Sequence, residues 1–135
     1  MKINFTLFLL LGSPLLSKAQ NTCATALPVT AGTYVVTAVD GTQAPGPICV
    51  PNNNQMGTAG EWYTYTPTGN YTVTITTDLP ASGGTDTRIL VYSGACGALT
   101  CIAGDDDSGS GLTSLVSFNV ASGTTYTFAF DNRWT

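Results

Sequence analysis

Apolar and polar residues alternate with a period of two along much of this chain. In the hexapeptide YTVTIT at residues 71–76, Tyr71, Val73 and Ile75 fall on one face and three threonines on the other. This pattern is typical of a β-strand with one buried and one wet face. Seven segments rich in Thr, Val, Ile and Tyr predict strands, at residues 33–39, 61–66, 71–77, 88–93, 100–103, 112–120 and 125–130. Because no stretch has apolar residues at helical spacing, we expect an all-β domain.

The segments between these predicted strands are rich in Gly, Pro, Asn, Asp and Ser, the residues that reverse a strand. Strands with one wet face must bury their apolar faces against each other. The pattern therefore predicts an antiparallel two-sheet β-sandwich of jelly-roll type, which needs about 100 residues. The sequence RILVY at residues 88–92 is apolar on both faces, so we expect it to be a central strand.

The N-terminus is typical of a secretory signal peptide. Met1 and Lys2 precede an apolar run at residues 3–11, and Ser17 and Ala19 are the small residues that a signal peptidase needs. We expect cleavage after Ala19, which would leave residues 20–135 as a single domain. No other apolar run reaches the roughly 18 to 20 residues needed to cross a bilayer. The prediction is a secreted protein, extracellular or at the cell surface, without membrane insertion.

Charge and missing residue types exclude several functions. With Lys2 and Lys18 in the leader, two arginines remain against eight acidic residues, a formal charge of −6. Such a surface repels phosphates, so a nucleic-acid partner is excluded. The chain contains no histidine, which excludes Ser-His-Asp and Cys-His nucleophile systems as well as His-ligated zinc.

Four cysteines in an exported chain predict two disulfides. Three pairings are possible. We expect Cys96 to pair with Cys101, closing a short loop between two strands, and Cys23 to pair with Cys49, fastening the N-terminal segment. Zinc is the alternative, but zinc sites usually use CxxC knuckles, whereas the closest pair here has four residues between the cysteines.

Several short motifs follow one another in a characteristic order. They are EWYTYTP at residues 61–67, YTVT at 71–74, DTRILVYSG at 86–94, DDD at 105–107 and GTTY at 123–126. In this order they resemble the bacterial pre-peptidase C-terminal domain. The sequence CGALTC at residues 96–101 is similar to the Cys-containing variants in large secreted proteins of the Bacteroidetes type. The resemblance covers residues 23–134.

The resemblance implies a non-catalytic accessory β-sandwich within a larger extracellular peptidase or adhesin. Some members of that family bind calcium or assist attachment to a polymeric substrate, so the implied partners are an extracellular protein or polysaccharide, or the rest of a longer polypeptide. In the family pattern a further apolar strand follows the DNRW segment, here at residues 131–134. The resemblance therefore implies a domain cut short at its C-terminus.

The densest group of chemically active side chains is acidic. Asp105, Asp106 and Asp107 precede Ser108 on a glycine-rich loop, and this oxygen-rich composition is the one that calcium prefers. Adjacent carboxylates repel each other, and a cation would relieve that repulsion. Asp86 precedes the strand at 88–92 and could approach the loop from the neighbouring strand end. We predict that these four aspartates bind Ca²⁺; the alternative is an acidic, solvated turn.

Aromatic residues provide a second candidate function. Trp62 faces one side of its strand, while Tyr63 and Tyr65 face the other, and in a thin sandwich one set would be exposed. Exposed aromatic rings stack on sugars, so these three residues are a candidate carbohydrate-binding face. The competing interpretation is that they pack in the core.

Enzymatic activity is the least favoured function. Asp107-Ser108-Gly109 matches the aspartic-protease signature, but only one copy is present, whereas that mechanism needs two facing aspartates. Glu61 is the sole glutamate, and nothing in the sequence identifies a second carboxylate with which it would form a glycosidase pair. We therefore assign no catalytic residue.

Overall fold

The computed structural model describes the backbone of residues 3–8 and describes residues 20–51 and 54–134 in full. The predicted leader at residues 1–19 lies outside the described residues except for that short stretch of backbone. Cleavage after Ala19 therefore stays a prediction.

The described residues form an all-β protein, as predicted. The strands are β1 (Ile3–Phe8), β2 (Leu27–Pro28), β3 (Gly32–Val35), β4 (Gly60–Tyr65), β5 (Tyr71–Thr76), β6 (Ile89–Ser93), β7 (Thr100–Asp105), β8 (Leu115–Val120) and β9 (Tyr126–Asp131). Two single-turn 3-10 helices occupy Cys23–Thr25 and Pro80–Ser82. All seven predicted strands are present, although β3 and β8 are shorter than expected, and β1 and β2 were not predicted. In the described part of the chain, no helix combines the length and apolar character that a membrane span requires.

The strands form two sheets, which confirms the two-sheet sandwich. One sheet has the order β3-β1-β5-β8, and the other has the order β2-β4-β9-β6-β7. The β4–β9, β6–β9, β6–β7 and β5–β8 ladders are antiparallel, as expected. However, β1 runs parallel to both of its neighbours, and β2 runs parallel to β4. Strand β6 lies between two strands and is buried along Ile89–Tyr92, so the predicted central strand is confirmed.

The main core lies between the two sheets. Val73, Ile75 and Phe118 of the four-stranded sheet pack against Tyr63 and Phe128 of the five-stranded sheet. On β8 buried and exposed residues alternate strictly, which follows from the period-two pattern. The outer face of this ladder is polar: the Thr74 and Ser117 hydroxyls hydrogen-bond across it at 2.7 Å. The four-stranded sheet thus has the predicted wet face.

A second, smaller core covers the outer face of the five-stranded sheet. Trp62, Leu90, Tyr92 and Ala129 lie there beneath residues 20–26 and 43–50, which we call the covering segments. Trp62 donates its indole N–H to the Gln43 carbonyl at 3.0 Å, and the Tyr92 hydroxyl donates to the Pro47 carbonyl at 2.9 Å. Strand β9 is consequently buried at every position. In the sequence, Tyr126, Phe128 and Phe130 alternate with Thr127 and Ala129, a pattern that predicts one wet face for this strand. That prediction is wrong, because irregular chain covers the face.

The disulfides join Cys23 to Cys96 and Cys49 to Cys101, so the predicted pairing is wrong. Cys101 lies opposite Tyr92 within the β6–β7 ladder, whereas Cys96 lies in the turn beyond the last pair of that ladder. Both cysteines of the hairpin bond to the covering segments, which pack against the same sheet. Each bridge therefore fastens a covering segment to the β6–β7 hairpin. Because all four cysteines form disulfides, zinc binding by these thiols is excluded.

Candidate metal centre

The β6–β7 hairpin brings the predicted calcium ligands together. Ile89 at the start of β6 pairs with Asp105 at the end of β7. Asp86 precedes Ile89 by three residues, and Asp106 and Asp107 directly follow Asp105. In an antiparallel pair, the start of one strand lies beside the end of the other. Asp86 therefore meets the acidic loop at this end of the hairpin.

Three of the four predicted ligands form a cluster. Asp86, Asp106 and Asp107 each offer a carboxylate oxygen, and these three oxygens all lie within 4.8 Å of one another. Two oxygens bound to one calcium ion at 2.3–2.6 Å can be up to about 5 Å apart, so this spacing fits a shared ion. Asp86 and Asp106 are half-buried, and Asp107 is exposed. The cluster is therefore shielded on one side and open on the other.

One oxygen of Asp86 has no hydrogen-bond partner. Its Oδ1 atom is buried, and no donor reaches it. A buried carboxylate oxygen without a donor is costly, and its cost is offset when a cation coordinates it. The donor set thus fits a hard cation such as Ca²⁺.

The structure places Asp105 outside the cluster. Its Oδ2 atom accepts hydrogen bonds from the backbone N–H of Ser108 at 3.0 Å and of Leu115 at 2.7 Å. Its Oδ1 atom accepts a further bond from the Ser108 hydroxyl. Asp105 thereby holds the loop in shape and ties it to the start of β8.

The hydroxyl groups of Thr77, Thr87 and Ser114 form a hydrogen-bond network beside the cluster. The Ser114 backbone N–H lies 2.9 Å from Thr77 Oγ1 and 3.1 Å from Thr87 Oγ1. The Ser114 hydroxyl lies 2.7 Å from the carbonyl oxygen of Asp106. These contacts link Ser114 to the side chain of Thr87 and to the backbone of Asp106. Sequence analysis missed this network, because serines and threonines are abundant throughout the chain and no spacing singles these out.

The acidic loop is also fastened to the segment that follows β5. The hydroxyls of Ser110 and Thr113 each donate to the carboxylate of Asp78 at 3.2 Å. At Gly109, an added Cβ atom would lie 2.3 Å from the Thr113 hydroxyl oxygen and 2.7 Å from its carbonyl oxygen. Glycine is thus required here by close packing. Hydrogen bonds therefore fix the acidic loop at both of its ends.

Protonation of the cluster is shifted by its surroundings. Burial raises the pKa of Asp86 above its usual value of 3.8, and the charges of Asp107 and Asp106 raise it further. The pKa of Asp107 is also raised, first by desolvation and then by the charges of Asp106 and Asp105. Burial and, to a smaller extent, mutual repulsion thus make the charged forms of these carboxylates costly, and a bound cation would reduce that cost.

The structure contradicts the candidate sugar-stacking face and bears out its alternative, core packing of Trp62, Tyr63 and Tyr65. Trp62 is 0% exposed, Tyr63 2% and Tyr65 7%. Tyr63 stacks on Phe128 with ring centroids 5.4 Å apart, and Trp62 lies beside Tyr92 at 6.2 Å. The expectation assumed that one face of this strand was open, but the second sheet covers one face of β4 and the covering segments cover the other.

The carboxylate of Glu61 has a structural role. It is buried, and its Oε1 atom accepts hydrogen bonds from the backbone N–H groups of Asp40 at 3.2 Å and Gly41 at 3.1 Å. Burial raises the pKa of Glu61, while these two hydrogen bonds lower it and the charge of Asp40 raises it. Glu61 thus anchors the loop that contains Asp40 to β4.

Comparisons with protein-family models, curated proteins and solved structures find no match for this chain.

Proposed function

We propose that this protein is a non-catalytic, exported accessory module whose fold is stabilised by calcium. The observation that carries the proposal is the cluster of Asp86, Asp106 and Asp107, with three carboxylate oxygens within 4.8 Å and one buried oxygen of Asp86 without a donor. The resemblance to pre-peptidase C-terminal domains supports the same function. Under this proposal the module belongs to a larger extracellular peptidase or adhesin, and it contacts an extracellular protein or polysaccharide.

Two further observations support export and a structural role for the ion. Disulfides form and persist mainly in oxidising compartments, and both bridges here hold irregular chain against a sheet. The acidic cluster spans two chain segments, the one before β6 and the one after β7. A calcium ion would supply positive charge between them. Calcium fits better than magnesium because it accepts irregular sets of six to eight oxygens, whereas magnesium demands a near-ideal octahedron.

Calcium should raise the thermal stability of the mature protein, residues 20–135. An ion that binds the folded but not the unfolded chain adds about 2.7 kcal/mol when its concentration is 100 times Kd. For a domain of this size that corresponds to a rise of about 10 °C in Tm. Calorimetry in calcium, in EDTA and in magnesium at matched ionic strength measures this effect. We expect calcium to raise Tm and magnesium to leave it close to the EDTA value.

Matched variants locate the ion. Asp86→Asn and Asp107→Asn each remove one ligand and should abolish most of the calcium-dependent rise. Asp40→Asn removes the same charge outside the cluster, so its calcium response should equal that of the wild type. An equal response to calcium and magnesium would show simple charge screening and contradict the proposal. A full calcium response in both ligand variants would place the ion elsewhere.

The calcium effect should disappear at acidic pH. Because folding raises the pKa values of Asp86 and Asp107 above 3.8, the folded state takes up protons before the unfolded state does. Without calcium, repulsion therefore destabilises the fold at neutral pH and fades as pH falls through these raised values. Calcium needs the deprotonated ligands, so its stabilisation is complete at pH 7 and is lost in the same interval. Tm measured from pH 7 to pH 3.5, in calcium and in calcium-stripped buffer, checks this. A gap between the two curves that persists at pH 3.5 would exclude these carboxylates as ligands.

A further inference from the structure

Strand β1 lies in the interior of the four-stranded sheet. Its backbone pairs with β3 on one side and with β5 on the other, so that Phe5 is opposite both Gly32 and Ile75. This strand belongs to the segment that we expect export to remove. Without it, β3 and β5 face each other across a gap of about 10 Å, twice the usual spacing between paired strands.

Loss of β1 uncovers both polar and apolar groups. One edge of β3 and one edge of β5 lose their hydrogen-bond partners, and an unpaired strand edge is a template for pairing with another chain. With β1 in place, Val73 and Ile75 on β5 are only 0% and 1% exposed. They lie beside the gap and gain access to solvent when it opens.

The described part of the mature chain, residues 20–51 and 54–134, contains no spare strand for this gap. Strand β8 already pairs with the other edge of β5, and β2, β4, β6, β7 and β9 form the second sheet. The gap is therefore a strand-sized slot between β3 and β5.

We propose that the mature module binds an extended segment of another polypeptide in this slot, as an added β-strand. The proposal rests on removal of the leader and is independent of the calcium site. Recognition of this kind takes its affinity from backbone hydrogen bonds and its specificity from alternate side chains. The added strand would restore the four-stranded sheet.

The chemistry of the slot defines its occupant. Strands β3 (GTYV) and β5 (YTVTIT) contain no charged residue, and neither does the segment INFTLF that fills the slot in the precursor. A charge buried in such surroundings would be unpaired and costly. The occupant is thus an uncharged stretch of about six residues with apolar residues at alternate positions. Two mature copies, each with a formal charge of −6, repel each other, so a second copy is a less favoured donor.

A peptide with the sequence of Ile3–Phe8 and terminal lysines for solubility is the probe. Added to mature protein, it should slow hydrogen exchange at least tenfold in both β3 and β5 and raise Tm, in calcium and in EDTA alike. A control peptide with Phe5→Asp and Leu7→Asp should do neither. Exchange of the β4–β9 ladder, measured in the same sample, controls for a general change in stability.

Three results would overturn the proposal. The first is an intact mass of the exported protein which shows that residues 3–8 are retained. Mature monomer that already protects β3 and β5 without peptide would show that the slot has closed, and protection that appears only with dimer formation would identify a second copy as the occupant. Persistence of the peptide effect in EDTA separates this proposal from the calcium site, because failure of either leaves the other standing.

Discussion

Replacing Asp131 with asparagine should lower the free energy of unfolding of the mature protein by about 3 to 5 kcal/mol. Arg88 and Asp131 form an ion pair in which both side chains are fully buried. The guanidinium Nε donates to both carboxylate oxygens of Asp131, at 3.2 and 3.1 Å, and Nη2 donates to the Gln55 carbonyl at 2.8 Å. Asparagine leaves the buried guanidinium without its counter-charge, which accounts for the large expected loss.

The ion pair joins the start of β6 to the end of β9. Arg88 directly precedes β6, and Ile89 at the start of β6 pairs with Phe130 next to Asp131. The pair therefore closes one end of the five-stranded sheet. Its loss should accelerate local opening of this end as well as lowering the global stability.

Urea denaturation of the oxidised protein measures the effect, and two variants serve as controls. Asp40→Asn removes an exposed carboxylate outside the ion pair and relieves its repulsion of Glu61, so it should leave stability unchanged or slightly raised. The double variant Arg88→Leu with Asp131→Leu removes both charges together. Its loss of unfolding free energy should be smaller than the sum of the losses in Arg88→Leu and Asp131→Leu measured singly. A loss below 1 kcal/mol for Asp131→Asn would show that the guanidinium finds another counter-charge.

The alternating pattern was sufficient to predict seven of the nine described strands, but it predicted which of their faces are buried only where the surroundings are regular. On β5 and β8 one face is wet, and the pattern of residues states this directly. On β4 and β9 both faces are buried, because the covering segments lie over the second face. These segments have no periodic pattern of their own, so the sequence could not decide between an exposed and a buried Trp62, and it did not identify the disulfide pairing.

The acidic cluster was partly predictable for a similar reason. Asp86 lies just before one strand of a hairpin and Asp106 just after the other, and antiparallel pairing brings such positions together. The exclusion of Asp105 from the cluster could not be predicted, because the backbone conformation of a turn determines the directions in which adjacent side chains point. The pairing of β1 with β3 and β5 was unexpected, since the apolar run at the N-terminus was assigned to export alone.

Loss of either disulfide should destabilise the protein by about 2 to 5 kcal/mol. The sequence separations are similar, 73 residues for Cys23–Cys96 and 52 for Cys49–Cys101. Loop-closure entropy depends on the logarithm of loop length, so it is nearly equal for the two bridges. A difference between the variants Cys23→Ala with Cys96→Ala and Cys49→Ala with Cys101→Ala therefore reports on what each bridge holds down. Loss of Cys49–Cys101 should lower stability more if the residues around Cys49 bury most of Tyr92. Trp62 fluorescence reports whether the aromatic rings beneath the covering segments become exposed.

Thiol titration of two double-cysteine variants, Cys23→Ala with Cys96→Ala and Cys96→Ala with Cys101→Ala, tests the pairing itself. In the variant that lacks Cys23 and Cys96, the two remaining cysteines are already bonded to each other, so no free thiol should be found in the folded protein. If Cys23 were bonded to Cys49 and Cys96 to Cys101, the same variant would leave Cys49 and Cys101 without their partners and expose two thiols. The variant that lacks Cys96 and Cys101 gives the opposite result: two free thiols with the observed pairing, and none with the alternative. Titration in denaturant, before any disulfide exchange, distinguishes the two pairings without relying on a stability measurement. Finding no free thiol in the variant that lacks Cys96 and Cys101 would contradict the disulfides that fasten the covering segments to the β6–β7 hairpin.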